Sequence, residues 1–182
     1  MKTTKKTRTE STLQLMQALT WFTLIGLLAK TAILFFGFLI NSHINPESLK
    51  DIYNDLDLSE IFSSSRGAYY ILTILILISY SFKILLIFQV TQIFSKINFN
   101  QPFKPFLSTL ISKMSYVALT TGLLNAVIDK SGLMLLGKAQ STELTIFIES
   151  PKVLMFIAGL LFIIAQVLKR GVEIQAENDL TI

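Results

Sequence analysis

A chain of 182 residues that is 52% hydrophobic and only 15% charged, with a mean hydropathy of +0.59, is too apolar for a soluble domain built around one core. Its formal net charge of +4 does not point to direct nucleic-acid binding. The Lys and Arg residues flank long apolar runs, where membrane insertion places them. The lack of cysteine excludes a disulfide framework and any thiolate site.

The chain opens with MKTTKKTRTE, which carries Lys2, Lys5, Lys6 and Arg8. The apolar run from Leu13 to Ile40 exceeds the roughly 7–15 apolar residues of a signal peptide, and no small-x-small cleavage pattern follows it. It therefore reads as an uncleaved first span over 13–40. The loop NSHINPESLKDIYNDLDLSEIFSSSRG follows, within which PESLKDIYNDL suggests a short helix behind Pro46. A second span is predicted over 68–94. FSKINFNQPFKPF is a basic loop, and a third span is predicted over 106–128. Asp129 to Ser150 reads as a second loop. Its LTIFIES segment is either an extended piece at the membrane surface or the first turns of the fourth helix.

The fourth span, 152–169, centres on VLMFIAGLLFIIAQVL. Sixteen helical residues cover about 24 Å, less than a bilayer core of about 30 Å, and Lys152 and Lys169 snorkel outward to make up the difference. Lipid leaves no open backbone satisfied, so every span must be helical. The predicted fold is an all-α membrane protein, an antiparallel four-helix transmembrane bundle. It forms one domain over 1–182 with a tail at 170–182.

Orientation follows from Lys and Arg. Four basic residues precede the first span, Lys96 and Lys104 follow the second, and Lys169 and Arg170 follow the fourth. In a four-span chain these regions share one side, which is expected to be cytoplasmic. The opposite loops are richer in acid. The expected location is the inner membrane of a bacterium, with both termini cytoplasmic and the lipid bilayer as the first partner.

Two lysines stand inside apolar runs. Lys30 and Lys83 fall near mid-depth in antiparallel helices, where a charge costs about 2.5–3.5 kcal/mol. No carboxylate falls in the middle of any predicted span. Gln17, Gln89, Gln92, Gln166 and Asn125 are the other polar candidates. Lys30 and Lys83 either snorkel and sit among hydroxyls and carbonyls, or form an intramembrane pocket for an anionic ligand or lipid headgroup. Lys113 and Asp129 lie near span ends and reach water. His43, the only histidine, is a loop residue and makes no metal site alone. No catalytic set, cofactor motif or metal cluster is present, so the chain is expected not to be an enzyme.

The ending KRGVEIQAENDLTI resembles that of an uncharacterised bacterial membrane protein family, domain of unknown function 2975. Its members run from the last span into a Glu-Asn-Asp-Leu-Thr-aliphatic ending, here Glu177, Asn178, Asp179, Leu180, Thr181 and Ile182. FSKINFNQPFKPF is similar to the family's inner loop. The resemblance covers the layout of nearly the whole chain and implies four spans and no assigned activity. Genes of the family often neighbour a small helix-turn-helix transcription regulator, which implies a regulatory partner.

Three function classes follow. In the first, a regulatory or interaction protein docks a cytoplasmic regulator through Glu173, Glu177, Asn178, Asp179, Leu180, Thr181 and Ile182, with the aliphatic residues as anchors. The bland alternative has the same acidic tail folding back onto FSKINFNQPFKPF as a cap, its carboxylates toward Lys96 and Lys104. The second class is a small transporter or channel subunit, with a homo-oligomer forming the pore and Lys30 and Lys83 as the site. The sequence shows none of the internal repeats or broken helices common in transporters. The third, a membrane enzyme, lacks a nucleophile, base or metal set.

Overall fold

The computed structural model describes residues 8–43, 58–97 and 105–179. Five helices follow one another: α1 (Arg8–His43), α2 (Ser59–Ser64), α3 (Arg66–Lys96), α4 (Pro105–Phe147) and α5 (Pro151–Asp179). There is no strand among the described residues. Ser65 caps α3, its hydroxyl accepting from the Ala68 amide at 3.4 Å. Pro105 and Pro151 open α4 and α5, at the one helical position where a missing N–H costs nothing.

Four segments are long and apolar enough to cross a membrane: Ser11–Ile40, Arg66–Lys96, Pro105–Leu135 and Pro151–Asn178. Phe22, Phe156, Val167 and Ile71 are each more than 60% exposed. A surface of that kind is untenable in water and ordinary against lipid tails. The protein is an all-α, multi-pass membrane protein.

The helices pack in series, α1 on α3, α3 on α4 and α4 on α5, with α2 lying against α3. The core gathers Leu34 and Phe38 of α1, Leu58 and Ile61 beside and in α2, Tyr69, Leu72, Ile76 and Tyr80 of α3, Ile128 of α4, and Ile148. Tyr69 ties α3 to α1 by donating its hydroxyl to the Phe38 carbonyl at 3.3 Å. Between α4 and α5 small residues allow close approach. Ala118, Ala158 and Ala165 are buried, and Ser115 donates to the Ala158 carbonyl at 3.0 Å.

Two sequence expectations change here. Segment 129–150 is not a loop. Helix α4 runs on past Ile128 to Phe147, so LTIF belongs to the end of α4 and is neither an extended piece nor the start of α5. The acidic tail does not fold back through Val172 to Asp179. It continues α5 as helix, because one glycine costs about 1 kcal/mol relative to Ala, less than a broken run of backbone hydrogen bonds. The short helix expected at 46–56 lies outside the described residues, while Ser59–Ser64 of the same loop is helical.

Candidate functional site at the break before α5

The side-chain amide of Asn125 donates to the Glu149 carbonyl at 3.0 Å. A straight helix from Asn125 to Phe147 would carry the chain about 33 Å away. The chain must therefore reverse within α4. Ser131 and Leu135 line a groove with Ala68, Ile71, Leu72 and Leu75, so the outward arm follows α3 toward Arg66 before turning. The return arm brings Ile148, Glu149 and Ser150 back to the level of Asn125. Helix α5 starts there, and a Cβ built on Gly122 would meet the Pro151 carbonyl at 3.2 Å. The chain thus runs from a helical arm ending at Phe147 through a three-residue break into α5, which is a full crossing by itself.

That break lies at the end of α5 opposite Lys169, since Pro151 is about 27 Å from Lys169 at helical rise, close to a bilayer core of about 30 Å. Asn125 accepts a 2.5 Å hydrogen bond from Ser79, and Glu149 forms an ion pair with Lys83. Along α3, Lys83 is about 25 Å from Arg66 and about 20 Å from Lys96 at helical rise. Backbone left out of a helix there needs partners of its own. Asn125 takes the Glu149 carbonyl, and the Leu154 amide donates to the Ser150 carbonyl at 3.2 Å.

Charge gathers at the same level. The Lys83 ammonium, buried, stands 4.2 Å from the centroid of the Tyr80 ring, and the half-buried Lys30 ammonium stands 5.2 Å from the same ring. An aromatic face attracts such cations electrostatically. The structure therefore brings Lys30 and Lys83 together and adds a carboxylate that sequence reasoning missed. Glu149 stood in a presumed loop, and its place beside Lys83 comes from the reversal of α4. The signal was present in LTIFIESPKVLMF, where an apolar arm is followed by a residue before proline, a position that disfavours helix, and then by a second apolar run.

A family model described as "Protein of unknown function (DUF2975)" matches residues 8–182. The chain belongs to this family. Comparison with curated proteins and with solved structures gives no match.

The residues singled out in the tail lie elsewhere. Glu173 pairs with Arg170 at 2.9 Å and does not reach toward Lys96, whose ammonium sits 4.4 Å from the Phe106 ring. Glu177 and Asn178 are exposed on α5 and Asp179 is its last residue. Leu180, Thr181 and Ile182 lie outside the described residues, as does Lys104. Lys169, Val172 and Glu173 line a cavity of about 420 Å³ with Pro105, Ser108, Thr109 and Ser112, so α5 docks on the start of α4 before its tip projects. Among the described residues no three His, Asp or Glu side chains gather in metal-binding geometry.

Proposed function

We propose that this chain is a regulatory membrane protein in which the Lys83–Glu149 pair sets the position of α5, and α5 carries that state to a tail read by a soluble cytoplasmic partner. One observation carries the reading. Helix α5 begins two residues after Glu149 and runs as a single helix of 29 residues through Glu173 and Glu177. A rigid helix does not shift at one end without moving the other. The Lys96 end is the cytoplasmic side of a bacterial inner membrane, following the Lys and Arg bias. The partner that fits the family resemblance is a small helix-turn-helix regulator held by the carboxylates of the tail. The protein acts as one domain and without catalysis.

The chain has no cysteine, so one introduced thiol gives a clean reporter. The full protein carrying Asn178→Cys is labelled with an environment-sensitive fluorophore, with and without Glu149→Gln. The expected result is a changed signal in the Gln variant. An identical signal rejects the coupling. Where a small helix-turn-helix regulator is encoded beside the gene, deleting 177–182 is expected to abolish its recruitment, and full recruitment without those residues rejects the docking role.

A second reading is favoured by the two lysines gathered at one aromatic ring. Charged side chains within membrane-spanning segments mark ion and substrate paths. A transporter or channel subunit, closed into a pore as a homo-oligomer, would place Lys30 and Lys83 on the path. Anion flux into proteoliposomes that Lys83→Leu removes would favour this reading over the first.

A further inference from the structure

The two partners of the intramembrane pair are held very differently. The Lys83 side chain is 7% exposed and that of Glu149 is 56% exposed. Lys83 belongs to the middle of α3, packed on both α1 and α4. Glu149 belongs to the three-residue break between α4 and α5. The cation is thus fixed and the carboxylate sits on the exposed, jointed piece. Lys30 adds a second ammonium beside the same Tyr80 ring. Like charges repel strongly in a low-dielectric interior, and a carboxylate at this place is drawn by both.

We propose that this site takes a carboxylate from outside the chain in exchange for the side chain of Glu149. The position already holds one carboxylate, so its size and charge are accommodated. Tyr80 belongs to an apolar cluster with Leu34, Ile76, Ile128 and Ile148. Burying a singly charged anion in such surroundings costs less than burying a doubly charged phosphate. The exchange breaks only the Lys83–Glu149 contact and forms its equivalent with the ligand, leaving Glu149 free to swing out on its exposed side. The ligand class is a monocarboxylate, either a water-borne short acid or an acyl-chain acid arriving through the lipid. This deepens the reading above, since release of Glu149 is the event α5 would transmit.

The full-length protein in lipid nanodiscs is titrated with sodium acetate and with sodium decanoate at constant ionic strength, with acetamide and decanol as uncharged controls. Glu149→Ala empties the carboxylate position and is titrated alongside. Carboxylates are expected to raise the thermal midpoint of both proteins, Glu149→Ala by more, while the uncharged controls do not. A response to both acids identifies a water-borne source as sufficient, and a response to decanoate alone identifies a lipid-borne one. Lys83→Leu is expected to weaken the response by roughly thirtyfold or more, as loss of a buried charge partner ordinarily does. No carboxylate response in the wild type and Glu149→Ala, an equal effect of the uncharged controls, or an undiminished response in Lys83→Leu overturns the proposal. If Glu149→Ala does not assemble, the wild-type and Lys83→Leu titrations still decide. The label on residue 178 separates the two ideas. A carboxylate response with a silent tail removes the coupling and keeps the site. A tail that responds to Glu149→Gln but to no carboxylate does the reverse.

Discussion

Asn125 holds the Glu149 carbonyl at 3.0 Å across 24 residues of sequence, and this bond ties the break before α5 to α4. The same side chain accepts from Ser79 at 2.5 Å, so α3, α4 and the break meet at one amide. Asn125→Leu leaves the Glu149 carbonyl and the Ser79 hydroxyl without this partner, at an expected cost of about 1–3 kcal/mol. Asn125→Asp is expected to cost more, because an acceptor would then face the carbonyl oxygen. Hydrogen exchange is expected to quicken in peptides covering 146–154 and to stay unchanged over 108–118. Unchanged exchange at the break would show that the bond does not hold it.

The two ends of the ion pair are expected to respond unequally. Glu149→Gln strands a buried ammonium, which ordinarily costs about 3–5 kcal/mol. Lys83→Leu strands a carboxylate that is already more than half exposed, and its cost is expected to stay near that of an exposed pair, about 1 kcal/mol or less. The double variant is expected to match Lys83→Leu. Thermal unfolding of the detergent-solubilised protein measures all three. Lys83→Leu proving the more damaging single change would mean that the burial asymmetry does not govern the pair.

Gly122 and Gly159 are expected to part company. A Cβ at Gly122 would lie 3.1 Å from Met155 Cγ, 3.2 Å from the Pro151 carbonyl and 3.3 Å from Leu154 Cβ, whereas nothing lies within 4 Å of one at Gly159. Two of the three neighbours at Gly122 cannot swing aside. Gly122→Ala is expected to destabilise by about 1–3 kcal/mol, as overpacking does. Gly159→Ala is expected to be neutral or to stabilise by about 0.5–1 kcal/mol through helix propensity. Equal melting temperatures for the two variants would show that α4 and α5 do not approach this closely.

Reporter fusions at residues 55, 100, 140 and the C-terminus are expected to read outside, inside, outside and inside. The assignment rests on the Lys and Arg placement, and the reversal of α4 leaves it intact because it returns Glu149 to the level of Asn125. A C-terminal reporter active outside the cytoplasm would invert the scheme and remove the docking role of the tail.

Four crossings were legible in the sequence because insertion is governed by apolarity summed over about 20 consecutive residues, a local quantity. The runs around Leu13–Ile40 and 68–94 therefore reappear as α1 and α3, and Lys30 and Lys83 stood out as charges within them. The tail was legible only in composition. Glu173 and Glu177 suggested a tail folding back onto the basic inner loop, yet α5 continues through them, since backbone hydrogen bonds already in register outweigh one glycine.

What tertiary structure alone decided is the partnership of Lys83 with Glu149. Hydropathy rates Glu149 and Pro151 as the end of an apolar run and assigns them to a loop. The carboxylate reaches Lys83 because α4 doubles back. That reversal is held by contacts between residues far apart in the chain, Asn125 with Glu149 and Ser131 and Leu135 beside α3. The buried Lys83 ammonium is costly by itself and becomes tolerable once the opposite charge is there. No local sum over the sequence contains that term, because the compensating lysine sits on another helix.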